Sequence, residues 1–371
     1  MKKKIAIITL HSVKNYGSVL QAYATQCYFE KMGLDSEIID YRRPWETNLG
    51  YWFYLNDKSL KGLARNIMYF PSKIIQHFKF GKFVKSRLHL SAHTYASLSD
   101  LKKNPVDASI YCTGSDQVWN SGWNNGVIPE YFLNFVGDEH LKISFASSFG
   151  SSNISTDDKQ IMGGYLKKYN LITVRENKSV QMLKDEFALD STEILDPTLQ
   201  MSGDFWKSVC APSRLVNEKY ILLIQLNRNH DFDELAKKFS NEKGIKLIRL
   251  CLRVDQMILP GKSIVIPEVE DYVRLIRDAE YVLTDSFHAV SFCLNLEKNF
   301  YVYYPEKYSE RLKSIIEIAE LSNREIKNYF KYNEVSIDYI KVSKILNRKR
   351  NECSAIFQTT INRYLANKLG Q

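Results

Sequence analysis

The sequence predicts an α/β protein made of two halves, each built on a parallel sheet. Strand-like apolar runs alternate with helix-like periodic segments, the order that βαβ units produce. The alternation also comes as two series joined near residues 204–219, and 371 residues suffice for two domains of ordinary size. Two such halves imply a cleft, where ligands usually lie.

The first series opens with a continuous apolar strand at 5–10. Its lysine-led start imitates a signal peptide. The apolar stretch is short, however, and His11-Ser-Val-Lys-Asn-Tyr-Gly follows without a small-residue cleavage site, so a strand is expected. Residues 18–32 read as a helix, with Val19, Leu20, Tyr23, Ala24, Cys27 and Tyr28 on one face and Gly33 as its stop. Strands are expected at 36–41, 108–113, 143–147 and 171–174, then a helix at 177–187 and a strand at 192–195. Asp196-Pro197-Thr198 closes the first half, which sets the first domain at 1–203. The second domain, 204–334, starts with a strand from Tyr220. A helix at 231–242, a strand at 246–251, a helix at 269–279, strands at 281–284 and 300–304, and a helix at 310–321 follow. Residues 335–371 form a helical segment expected to cross the back of the molecule and touch the first domain. No apolar run approaches the roughly 20 residues needed to span a bilayer.

The net charge of +9 favours anionic partners: phosphates, carboxylates, acidic glycans or a lipid surface. No zinc-finger spacing, homeodomain-like helix or aromatic RNA-binding motif is present, so nucleic acid is not an expected partner. The six cysteines include no C-x-x-C pair and read as buried thiols of a reducing cytoplasm. No His/Cys/Asp cluster has metal-ligand spacing, and neither a metal nor a resident cofactor is expected. The stretch 58–95, placed in the first domain, departs from the α/β pattern. Lys58, Lys61, Arg65, Lys73, Lys79, Lys82, Lys85 and Arg87 occur there without any acid, interleaved with Phe70, Ile74, Ile75, Phe78, Phe80 and Phe83. It reads as a solvated helix packed on its own domain or as a basic amphipathic helix on an anionic membrane.

Several motifs follow strand ends, where chemistry collects in α/β proteins. After the first strand come Asn15, Tyr16, Gly17, Ser18 and Gln21. Gly17 permits a tight turn, and Ser18 is the expected N-cap of a helix start that could hold an oxyanion. This is no dinucleotide fingerprint. The run Gly114, Ser115, Asp116, Gln117, Trp119 and Asn120 follows the strand at 108–113. Asp116 suits taking a proton from a hydroxyl, Gln117 and Asn120 suit reading hydroxyls, and Trp119 suits stacking on a sugar; the other reading is an Asx turn with a core tryptophan. Arg175 suits bidentate binding of carboxylate or phosphate, or else a salt bridge to Glu176 or another acid. At Tyr281–Leu294 a buried strand opens onto an apolar helix, with Asp285, Ser286 and His288 at the joint. A helix N-terminus there favours an anion, and a first-turn histidine can touch it and move a proton; the plainer reading is a polar N-cap. Ser309 is a further expected N-cap, with Arg311 as an anion contact in its first turn.

In this order, 15–24, Thr113-Gly-Ser-Asp-Gln-Val-Trp-Asn120, Ser144-Phe-Ala-Ser-Ser-Phe-Gly150, Val174-Arg-Glu176, Glu193-Ile-Leu-Asp-Pro-Thr198 and Thr284-Asp-Ser-Phe-His288 resemble the polysaccharide pyruvyl transferase family over roughly residues 1–325. The resemblance implies two Rossmann-like domains facing a cleft, as in the GT-B glycosyltransferase fold. It also implies transfer of a pyruvyl group from phosphoenolpyruvate to sugar hydroxyls of a cell-surface or exopolysaccharide precursor, forming a ketal. His288 would then protonate the enol methylene, Asp116 would take the acceptor's proton, and no metal would be needed. The acceptor would be a glycan or lipid-linked oligosaccharide, met in the cytoplasm or at the inner face of the membrane. Two departures stand out: Ser286 occupies a place where many relatives carry Arg, and Ala289 one where Gly is frequent. Arg175, Arg311 or lysines would supply the missing charge. The rival readings are a nucleotide-sugar glycosyltransferase and a non-catalytic glycan-binding protein of the same fold.

Overall fold

A computed structural model describes residues 3–46, 52, 59–150, 154–305, 309–332 and 336–369. The chain forms two compact units. Met1–Thr47, Val84–Gln200 and Leu346–Gln371 make the first, and Asn48–Phe83 with Met201–Ile345 makes the second.

In the first unit, β1 (Lys4–Ile8), β2 (Asp35–Tyr41), β3 (Leu90–Tyr95), β4 (Ile110–Thr113) and β5 (Leu141–Ser144) form a parallel sheet in the order β3-β2-β1-β4-β5. Ile5, Ala6, Ile7 and Ile8 are all fully buried, so both faces of the central strand are covered, and the strand reads as one apolar run. The chain steps outward through β2 and β3, then returns to the other side of β1 with β4. At that reversal the ends of β1 and β4 open side by side. Helix α1 (Tyr16–Lys31) makes the crossover from β1 to β2. Its N-cap is Asn15, not Ser18 as expected, because the Asn15 side chain accepts from the backbone N–H groups of Gly17 (2.9 Å) and Ser18 (3.4 Å). The strands expected at 171–174 and 192–195 shrink to the two-residue pair β6 (Thr173–Val174) and β7 (Thr192–Glu193).

The second unit repeats the pattern. β8 (Tyr220–Ile224), β9 (Lys246–Cys251), β10 (Lys262–Val265), β11 (Tyr281–Thr284) and β12 (Asn299–Val302) are parallel in the order β10-β9-β8-β11-β12. Here the reversal lies between β8 and β11, whose ends align as Thr284 beside Ile224.

The basic stretch becomes the 28-residue helix α2 (Leu60–Arg87), followed by strand β3; Lys58 lies outside the described residues. Up to Phe83 this helix belongs to the second unit, which differs from the placement in the first domain. Polar side chains fix it there: Gln76 donates to the Leu252 carbonyl (2.9 Å), Lys79 to that of Ile266 (2.6 Å), and the Ser72 hydroxyl accepts from the Val254 N–H (2.9 Å). Helix α3 (Phe287–Asn295) follows β11. The last helix, α4 (Tyr339–Leu369), joins the first unit from Leu346 onward, where Cys353 and Phe357 are fully buried and Arg350 donates to the Leu199 carbonyl (2.7 Å). All six cysteines are free and buried. Among the described residues, no helix is long and apolar enough to cross a membrane, and no group of three metal-ligating side chains occurs.

Candidate functional site

At the reversal of the first sheet, the loop after β4 begins with Gly114. A Cβ there would lie 2.7 Å from Thr9 Cβ, so the close approach of the two strand ends requires glycine. Asp116 adopts the left-handed conformation (φ 70°), which aspartate tolerates better than most residues and which clusters at functional sites. Its Oδ2 accepts from the Ser18 hydroxyl at 2.6 Å, tying the first turn of α1 to the β4 loop. Its Oδ1 lies 3.9 Å from Arg175 Nη1.

Arg175, at the end of β6, is the hub of this region. It is 3% exposed; its Nε donates to Glu176 (2.9 Å) and its Nη1 to Asp196 (3.0 Å). Burial alone lowers the guanidinium's pKa, but Glu176, Asp196 and Asp116 more than offset this and raise it, which locks in the cation. Asp196 is itself held by the Thr198 N–H (2.9 Å) and hydroxyl (2.7 Å) and by the Ser115 hydroxyl (3.3 Å). The expected ligand fork is therefore corrected: Nε and Nη1 serve protein carboxylates.

Other expected contacts of this unit are also structural. Trp119 is 1% exposed, stacks on Phe132 (5.6 Å, 15°) and donates its indole N–H to the Tyr131 carbonyl (3.0 Å), so it cannot lie on a sugar. Gln21 is fully buried and donates to the Thr9 hydroxyl (2.9 Å) and the Ser18 carbonyl (2.9 Å). Asn120 caps a short helix through the Trp123 N–H (3.1 Å) and donates to Gln117 (2.7 Å). Tyr16 and Gly17 are buried in the start of α1, whereas Asn15 is exposed and Gln117 half-buried.

The structure adds residues that the sequence reading left unassigned. His11 bonds Asp40 (2.8 Å), which also accepts from Arg42 (2.7 Å). Burial would raise the Asp40 pKa, but those bonds hold it well below the usual carboxylate range. Lys14, in the same loop, has its pKa pulled down to about 8, first by burial and then by Arg42, with Glu46 and Asp40 opposing. Buried Arg43 lies against the rings of Trp123 (4.3 Å) and Trp45 (5.1 Å), both of which reach solvent. The usable signal was position: His11 and Lys14 follow β1, and Arg43 follows β2.

At the reversal of the second sheet, Asp285 Oδ1 accepts from the Leu226 N–H (2.7 Å), and Oδ2 accepts from the Asn227 N–H (2.9 Å) and side chain (3.1 Å). Burial raises its pKa, and those same bonds partly oppose the rise. Asp285 thus clamps the loop after β8, a correction to its expected ligand contact. Ser286 is the N-cap of α3, accepting from the Ala289 N–H (3.4 Å). His288 follows in the first turn, 8% exposed, with its ring edge-on to Phe287 at 5.3 Å. Ser309 occupies the N-cap position of the helix Glu310–Ile318, but its side chain makes no capping bond, and Arg311 there is half-buried.

No curated protein matches the chain. Among solved structures it is similar to an alpha-glucosyltransferase in complex with UDP and DNA (9% identity over 97% of this chain and 99% of that one, TM-score 0.52). It is also similar to a putative UDP-N-acetylglucosamine 2-epimerase from Listeria monocytogenes (10% identity, 94% and 91% covered, TM-score 0.50). The wall teichoic acid polymerase TagF is a third (13% identity, 100% and 91% covered, TM-score 0.50). At these identities the likeness is one of fold, two Rossmann-like units of the GT-B type. The family model for polysaccharide pyruvyl transferases matches residues 15–307, a span that holds the motifs from Asn15 to His288. The chain belongs to the polysaccharide pyruvyl transferase family.

Proposed function

We propose that this protein transfers a pyruvyl group from phosphoenolpyruvate to two hydroxyls of a cell-surface glycan precursor, closing a cyclic ketal. The observation that supports it most is His288 in the first turn of α3, at a sheet reversal, in a member of a transferase family. A helix start favours the donor's phosphate or carboxylate. Since Arg175 is engaged by protein carboxylates, the remaining cationic role falls to Arg311 or to lysine residues.

His288 gives a proton to the methylene carbon of the enol, and C2 becomes electrophilic. One acceptor hydroxyl adds to C2 and gives up its proton as the bond forms. A hydroxyl bonded to an electron-poor carbon is acidic, and within the first unit the base assigned to the acceptor is Asp116, which accepts from the Ser18 hydroxyl. Phosphate leaves with the electrons of its bond to C2. The second hydroxyl then adds and loses its proton, giving one ketal and one phosphate per donor. A placed acid or base typically contributes on the order of 10²–10⁴-fold. The acceptor of this reading is a glycan, free or lipid-linked.

The test is incubation with phosphoenolpyruvate and a panel of free and lipid-linked oligosaccharides, with phosphate release as the readout. Release that requires an acceptor supports the reading. The second reading, a nucleotide-sugar glycosyltransferase, draws on the fold likeness to the UDP-bound glucosyltransferase. Consumption of a UDP-sugar with phosphoenolpyruvate untouched would put it first.

A further inference from the structure

We infer that α2 lays the protein on an anionic lipid surface. At about 100° per residue, Leu63, Ile67, Phe70, Ile74 and Phe78 fall within an arc of about 80° on this helix. All five are exposed, from 36% for Phe70 and Ile74 to 69% for Phe78. The opposite side carries Ser72, Gln76 and Lys79, bonded to Val254, Leu252 and Ile266, and buried Phe80 and Phe83. The stripe therefore points away from the unit on which the helix packs. A surface helix ordinarily turns its apolar face inward and its polar face outward. The Trp52 ring, 6.0 Å from Phe70 and 5.2 Å from His77, adds an aromatic of the kind that favours membrane interfaces.

Charge selects the occupant. Residues 60–87 hold Lys61, Arg65, Lys73, Lys79, Lys82, Lys85 and Arg87 and no acid, in a chain whose whole net charge is +9. Lys82 remains 74% exposed although Glu268 lies 3.8 Å away. Apolar side chains entering the headgroup boundary, with lysines meeting lipid phosphates, satisfy both features at once. A second copy of this chain would set two uniformly basic helices against each other.

The test is flotation of the full-length protein with vesicles of phosphatidylcholine alone and of equal parts phosphatidylcholine and phosphatidylglycerol. Neither donor nor acceptor is present, so the outcome is independent of the transfer reaction. The wild type should float with the anionic vesicles and only weakly with the neutral ones, less so as salt rises. Ile67→Asp with Phe78→Asp, and separately Lys82→Glu with Lys85→Glu, should each reduce partitioning by about tenfold or more. These side chains are exposed, so circular dichroism and melting should stay at wild-type values. A wild type that stays down with anionic vesicles, or aspartate variants that float as it does, would overturn the inference. So would a concentration-dependent dimer abolished by Phe78→Asp, which would make the stripe a contact between copies.

Discussion

Three carboxylates surround one buried guanidinium at the end of β6, and that count decides what Arg175 does. Removing the cation leaves Glu176, Asp196 and Asp116 without their common counter-charge. Arg175→Ala should cost about 3–5 kcal/mol of stability, as breaking buried pairs does, and this is measurable by urea unfolding. A stable variant with only a raised Michaelis constant would restore the ligand role. Lys14 yields a pH prediction. Its pKa is lowered to about 8, so below that pH both folded and unfolded chains carry the proton, and the cost of burying the charge is fully present. Between about 8 and the ordinary lysine value the unfolded chain binds more protons, so the residue's contribution to stability rises with pH. Competitive acylation followed by mass spectrometry should show Lys14 gaining reactivity around pH 8, and Lys14→Met should remove its share of the rise. Reactivity like that of surface lysines would refute the lowered pKa. At this scale the motifs were legible as positions but not as roles: whether Trp119 faces a sugar or Phe132 depends on packing that no local run encodes.

At the scale of elements, the central strands were readable because burial on both faces forces a continuous apolar run, as in β1 and β8. The two strands that were missed, β3 and β10, are sheet edges with partly exposed residues, so Leu90–Tyr95 and Lys262–Val265 carry no such run. The start of α1 was misplaced because Asn15 and Ser18 are both good caps, and only the backbone shows which side chain turns inward. The end of α3 is fixed by a contact with no sequence signature. A Cβ on Gly203 would lie 2.0 Å from the Asn295 carbonyl oxygen, a backbone atom that cannot rotate away. Gly203→Ala should therefore cost about 1–3 kcal/mol, as overpacking typically does, with thermal melting as the check. An unchanged melting temperature would mean that the two segments separate freely.

At the scale of the molecule, two halves were legible from the repeated strand–helix series, but their composition was not. The chain passes between the units three times before α4, and a fourth time within that helix, so no single cut in sequence reproduces them. Contiguous reading gave α2 to the wrong side of the boundary because its anchors are hydrogen bonds to residues 252–266, far off in sequence. The C-terminal helix completes the first unit: the Phe357 ring lies 5.2 Å from that of Phe145 and 5.7 Å from that of Phe29. Phe357→Ala should cost about 3–5 kcal/mol by opening a cavity there. Wild-type unfolding behaviour in that variant would show that the first unit folds without α4.

The proposed pyruvyl transfer through protonation of an enol carbon can be followed by running the reaction in deuterium oxide and reading the product methyl group by NMR. One deuterium is expected in the methyl of a new ketal, and that product should be lost in His288→Gln. A glycan product without a pyruvyl methyl, a methyl without solvent deuterium, or full turnover in His288→Gln would contradict it.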